Sequence, residues 1–150
     1  MQALAASGGL SITLVDHNQL TGALAQAGLG ACVREIVDHH ADAGAHAHVV
    51  GPLRRISFDP LVRKGVGSTC TLVAEALLAA EDAPAQGAPA ATGARAGHLL
   101  TPALAQLLLG VVLLDTSCLS SHADKATPRD HAAVAVLHEA AGGASAVGLE

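Results

Sequence analysis

Short apolar runs that stop on an acidic residue set the pattern of this chain. Ser11-Ile12-Thr13-Leu14-Val15 runs into Asp16-His17-Asn18, and Val33-Arg34-Glu35-Ile36-Val37 runs into Asp38-His39-His40. A β-branched apolar stretch ending on polar side chains is the signature of a buried parallel strand that delivers groups to the C-terminal edge of a sheet. The pattern predicts a first strand ending at Asp16 and a second from Cys32 to Val37. Between them, the Ala/Leu spacing from Gln19 to Gly30 predicts a short helix ended by Gly28 and Gly30. Strand, helix, strand is a parallel unit with a right-handed crossover.

Farther along, Val49 to Phe58 has Val49-Val50 and Ile56-Ser57-Phe58 on either side of Pro52, which predicts an edge or broken strand. Gly65 and Gly67 open a helix from about Ser68 to Ala80, with Ser68 or Thr69 as its cap and N–H groups favourable to an anion. Leu108 to Leu114 stops at Asp115-Thr116, repeating the acidic ending, but Thr101-Pro102 begins that segment as a helix. Thr127-Pro128-Arg129-Asp130 starts a last helix in the same way, ending near Ala141 before Gly142-Gly143. Residues 1–9 resemble the tail of a helix, and 81–98 form a flexible low-complexity Ala/Pro/Gly loop. The fold class expected is α/β.

Composition narrows what such a fold does. Hydrophobic residues make up 51% but aromatics only 1%, so the core must be filled by Ala, Leu and Val. A net charge of −5 without Trp or Tyr argues against a nucleic-acid footprint or a base-stacking platform. Cys32, Cys70 and Cys118 are far apart and form no CxxC pair, so they read as small buried hydrophobes in a reducing compartment. The start lacks a basic, sustained-apolar leader, and the longest apolar run, Ala103 to Leu114, is too short to span a bilayer, which needs ~20 residues. The expected location is cytoplasmic.

The chemistry lies at the acidic ends of the apolar runs. Carboxylate oxygens combined with imidazole suit Mn, Mg, Zn or Co, which points to metal-assisted hydrolysis. His46-Ala47-His48 sits in a Gly/Ala loop and is expected to be solvated, as are Arg54-Arg55 and Arg63-Lys64. Gly65-Val66-Gly67-Ser68 lacks the Gly-Lys-Ser/Thr ending of a phosphate-binding Walker loop.

Val15-Asp16-His17-Asn18 followed by Asp38-His39-His40 resembles the DHH phosphoesterase superfamily. Gly67-Ser68-Thr69-Cys70-Thr71, Leu113-Leu114-Asp115-Thr116 and Lys125-Ala126-Thr127-Pro128-Arg129-Asp130 narrow the resemblance to the prune and exopolyphosphatase branch, related to family II manganese pyrophosphatases. The likeness covers roughly residues 10–140. It implies a partial DHH domain, a parallel sheet flanked by helices, over residues 1–122. Residues 123–150 would be a linker and approach helix to a C-terminal domain of the DHHA2 type.

The resemblance assigns Asp16, His39 and Asp115 as ligands to a divalent metal, foremost Mn2+, with Mg2+ or Co2+ accommodated. It places His40 against the substrate, with Asp38 and His17 orienting nearby groups. The implied substrate is pyrophosphate or short-chain polyphosphate. Two alternatives stay open: cyclic-nucleotide or short-oligonucleotide phosphodiester bonds, and a prune-like regulatory protein that binds protein partners without turnover. No membrane partner is implied. The chain departs from the family in having no Asp, Glu or His before Asp16, where an Asp-x-Asp segment is expected. It therefore reads as a fragment whose own hydrolysis is weak.

Overall fold

A computed structural model describes residues 8–62, 64–82 and 99–143. The expected N-terminal helix tail and the low-complexity loop fall almost wholly outside these residues. By packing, the chain divides into two compact units, Met1–Thr69 and Cys70–Glu150.

In the first unit, β1 (Ile12–Val15) pairs in parallel with β2 (Val33–Asp38), which pairs in parallel with β3 (Arg54–Ile56). The α/β expectation and the parallel sheet are therefore both present. The central β2 buries Val33, Ile36, Val37 and Asp38, while the flanking β1 buries only Leu14. Central strands read as near-continuous apolar runs because both faces are covered. Val33 and Ile36 pack with Leu14, Leu20, Leu29 and Val49 into one cluster. Each such side chain stabilises the unit by about 1.5–3 kcal/mol when fully buried.

The helix expected over 19–30 is shorter than its Ala/Leu spacing suggests. It is limited to α1 (Gly22–Gln26), and a 3-10 turn at Leu29–Cys32 follows. Gly28 adopts φ 72°, the left-handed conformation that ends a helix, and the reversal buries Leu29 in the core. Strand two also runs one residue past the expected end. Asp38 still pairs with Ile56, and its carbonyl accepts the Ser57 N–H at 2.8 Å.

The broken strand predicted around Pro52 is a 3-10 turn at Gly51–Leu53, then β3 and β4 (Phe58–Asp59). β4 pairs antiparallel with β5 (Lys64–Gly65). A methyl group on Gly65 would lie 1.9 Å from the Ser57 carbonyl oxygen and 2.7 Å from that of His39. Both obstacles are backbone, so glycine is required there for close approach.

The helix α2 (Thr69–Asp82) leads into the second unit, which also holds α3 (Pro102–Asp115) and α4 (Pro128–Ala140). α3 and α4 each begin with proline at the first position, where its missing N–H costs no hydrogen bond. Thr101 caps α3 by accepting the Leu104 N–H. Ala74, Ala105, Leu108, Val112 and Leu137 form the buried cluster, a core of small and branched side chains as the lack of aromatics requires.

Asp130 is fully buried at the start of α4. Its carboxylate accepts from the Thr127 N–H, the Thr127 hydroxyl and the Thr71 hydroxyl, so both oxygens of this buried anion have hydrogen-bond donors. The cysteines do not all conform to expectation: Cys32 is buried, Cys70 is half-buried and Cys118 is exposed. Cys118 lies in a turn after α3 where Ser117, Cys118 and Leu119 all take positive φ. Among the described residues, no helix is long and apolar enough to cross a membrane.

Candidate metal centre

The C-terminal ends of β1 and β2 lie side by side, because the parallel register pairs Val15 with Val37. That register brings Asp16 and His39 together across 23 positions of sequence, at the edge where ligands gather in open α/β sheets. Asp16 follows β1 directly, and its N–H continues the ladder to the Val37 carbonyl at 3.0 Å. It sits at φ 65°, a left-handed conformation that aspartate tolerates better than most side chains. The turn directs its carboxylate to His39 Nε2, 3.3 Å from Oδ1.

The hydrogen bonds of the two histidines fix their tautomers. His39 Nδ1 is 2.7 Å from the Val66 carbonyl, an acceptor only, so Nδ1 carries the proton and donates it. His40 Nδ1 lies 2.8 Å from Asp38 Oδ1. Burial pushes the Asp38 carboxyl up, but bonds from the His40 ring, the Asn18 amide and the backbone N–H groups outweigh it and hold the group below its ordinary value. Asp38 is thus a carboxylate at neutral pH, and His40 Nδ1 also donates. His39 then turns Nε2 toward Asp16 and His40 turns Nε2 away from its anchor, and histidines that ligate metals typically have the other ring nitrogen anchored in this way.

Asp38 is fully buried beneath this pair. Its Oδ1 accepts from the His39 N–H at 2.8 Å and from His40, and its Oδ2 accepts from Asn18 Nδ2. Asn18 is itself locked, since Nδ2 also donates to the Ala41 carbonyl and Oδ1 accepts the Ala43 N–H. The carboxylate orients both histidines from below, one through its backbone and one through its ring.

One potential ligand atom from each of Asp16, His39 and His40 lies within 4.8 Å of the others, the group of this kind found among the described residues. The donor set fits a divalent cation. With Nδ1 committed to the Val66 carbonyl, His39 presents Nε2 to the Asp16 carboxylate at 3.3 Å, an imidazole nitrogen and a carboxylate oxygen that a divalent cation takes together. Ligands about 2.1 Å from one cation and separated by tetrahedral or octahedral angles are about 3.0–3.4 Å apart.

Beside the cluster is an open cleft of about 370 Å³, lined by Asp16, His17, Asn18, Thr21, Asp38 and His40. His17 anchors its Nδ1 on the Val15 carbonyl at 2.9 Å and stands at this cleft. Asp115, the remaining ligand expected from sequence, is the last residue of α3 in the second unit.

No protein-family model matches the chain, and no curated protein matches its sequence. A solved structure does. The chain is similar to a Methanococcus jannaschii protein described as a candidate family II inorganic pyrophosphatase, with 25% identity and a TM-score of 0.56. The match covers 88% of this chain and 37% of that one, so this chain spans well under half the length of its structural relative. The fold is therefore pyrophosphatase-like.

Sequence reasoning missed several groups around the cluster. The Gly65-Val66-Gly67-Ser68-Thr69 stretch was read for anion binding, yet two of its atoms serve the cluster directly. The Val66 carbonyl anchors His39, and the Thr69 hydroxyl donates to Asp16 Oδ1 at 2.9 Å. His46 and His48, expected to be solvated, are bound to backbone instead. His46 Nε2 accepts the Leu20 N–H at 3.1 Å, and His48 Nε2 donates to the Val33 carbonyl at 2.9 Å. Arg54 and Arg55 are likewise engaged, Arg54 forking onto Asp42 and Arg55 reaching Glu35.

Proposed function

We propose that this chain carries the cation-binding half of a phosphoanhydride hydrolase whose substrate is pyrophosphate or short-chain polyphosphate. The observation that supports the reading best is the facing pair of Asp16 and His39, with the Nε2 of each DHH histidine oriented by an anchored Nδ1. The similarity in fold to a pyrophosphatase described as family II agrees with it.

Asp16 Oδ1 and His39 Nε2 hold the cation in this proposal, with Mn2+ as the preferred ion and Mg2+ or Co2+ as substitutes. Asp115 joins the ligand set on the strength of the Leu113-Leu114-Asp115-Thr116 motif alone. A bound divalent cation supplies a Lewis acid for phosphoryl oxygens and lowers the pKa of water.

His40 supplies the proton chemistry. Its side chain is 59% exposed, against 19% for His39, so it can meet a substrate in the cleft. With Nδ1 held by the Asp38 carboxylate, the ring turns Nε2 to the cleft, where as imidazolium it would donate Nε2–H to a phosphoryl oxygen as the bridging bond breaks. Asp38 and Asn18 keep the ring in place and do not touch substrate.

Phosphate release from pyrophosphate, tripolyphosphate, a cyclic nucleotide and a dinucleotide, each with and without Mn2+, tests the assignment. The proposal expects weak Mn2+-dependent release from the first two, abolished in His40→Ala while Mn2+ binding persists. Cleavage of only the nucleotide substrates would replace it with the phosphodiesterase reading. Mn2+ binding with no release from any substrate would favour the prune-like, partner-binding reading.

A further inference from the structure

The Asp16 carboxylate is the exposed member of the cluster, with 65% of its side chain accessible, and an unrestrained aspartate would sample several rotamers. A hydrogen bond from Thr69 restrains it. Thr69 is 3% exposed at the start of α2, and its hydroxyl lies 2.9 Å from Asp16 Oδ1, across 53 positions of sequence. A carboxylate oxygen only accepts, so the hydroxyl donates.

The geometry divides the lone pairs of Oδ1. One is directed at the Thr69 hydroxyl, and the oxygen also faces His39 Nε2 at 3.3 Å. His39 is fixed from the opposite side by the carbonyl of Val66, three residues before Thr69. One short segment, residues 66–69, therefore anchors both members of the facing pair: a carbonyl for the histidine and a hydroxyl for the aspartate.

We infer that Thr69 is a positioning residue for cation binding, its hydroxyl holding Asp16 Oδ1 in register with His39 Nε2. This rests on the proposed cation site and adds a residue to it. The hydroxyl touches neither cation nor substrate and acts only through Asp16. Outer groups of this kind typically change metal affinity 10–100-fold.

The side chain of Thr69 has two separable parts, which gives the test its discrimination. Thr69→Val keeps the buried shape and removes the donor, while Thr69→Ser keeps the donor and removes a buried methyl. Mn2+ titration calorimetry and thermal unfolding of the metal-free full chain are read for wild type and both variants, with Thr69→Ala as a second donor-less variant.

The positioning role expects Thr69→Val and Thr69→Ala to weaken Mn2+ binding by about tenfold or more. Thr69→Ser should bind Mn2+ within about threefold of wild type, although its melting temperature falls. A purely structural role expects the reverse order, with affinity following melting temperature. Wild-type affinity in Thr69→Val overturns the inference and leaves the cation site standing. A wild-type chain that binds no Mn2+ overturns both.

Discussion

Replacing Asp38 with asparagine isolates the charge and acceptor capacity of the buried anchor without changing its shape. Every group around the carboxylate is a donor: the His39 N–H and His40 Nδ1–H at Oδ1, and the Asn18 amide at Oδ2. An asparagine offers one oxygen and one NH2. With its oxygen toward His39 and His40, its NH2 meets the NH2 of Asn18. Asn18 cannot flip to relieve this, because Ala41 and Ala43 hold its amide in one orientation. With the side chain reversed, the His39 N–H loses its acceptor, and His40 Nδ1 faces an NH2 and must become an acceptor, so the ring loses the Nδ1–H anchor it has on Asp38.

Either orientation forfeits one charge-assisted hydrogen bond, worth about 1.5–3 kcal/mol, offset in part because a neutral amide is less costly to bury than a carboxylate. A net loss of about 2 kcal/mol is expected, small enough for the chain to stay folded if its stability lies in the ordinary range of ~5–15 kcal/mol. Cation affinity should fall about 10–100-fold. The assay is urea unfolding followed by far-ultraviolet circular dichroism, since the chain has no Trp or Tyr to report by fluorescence, together with Mn2+ titration. An Asp38→Asn chain with the wild-type midpoint and wild-type affinity would refute the anchoring role.

Three further outcomes follow from the same structure. Gly65→Ala should destabilise the chain by at least about 3 kcal/mol or prevent folding, because the new methyl meets two backbone carbonyls that no rotamer change can move; a melting temperature near wild type would contradict this. Asp42 is held below its ordinary value by Arg54 and the Gly44 N–H, so its contribution is complete above about pH 4 and is lost as pH falls through the depressed native value. Asp42→Asn should therefore flatten the acid limb of the stability–pH profile while costing under about 1 kcal/mol at pH 7, since this pair is partly exposed. Asp130→Ala strips a buried acceptor from the Thr71 and Thr127 hydroxyls and the Thr127 N–H, and should cost about 3 kcal/mol in urea unfolding, against nearly nothing for Ala at the exposed neighbour His131.

What the residues reveal by themselves is the strand ends. Ile12–Val15 and Val33–Asp38 were legible because short β-branched runs bounded by polar and turn residues read as strands, and parallel pairing then places Asp16 beside His39. α4 was legible for a local reason as well: Thr127, Pro128 and Asp130 spell a helix start within four residues. The supports of the cluster were not. A backbone carbonyl such as that of Val66 has no side-chain signature, and Thr69 reads as a helix cap until the fold brings it to Asp16. His46 and His48 looked solvated because a Gly/Ala loop has no periodicity to show that it folds back on Leu20 and Val33. Gly28 was read as the end of a longer helix, whereas the burial of Leu29 draws the chain inward after only five helical residues.

Titration of the full chain with Co2+, followed by visible absorption and calorimetry, tests the cation site most directly. Co2+ reports nitrogen and oxygen ligation through its absorption bands. The expected result is one ion bound per chain, with bands that disappear in both His39→Ala and Asp16→Ala while the metal-free variants keep the wild-type circular dichroism. No binding by the wild-type chain, or binding unchanged in both variants, would contradict a site built on Asp16 and His39.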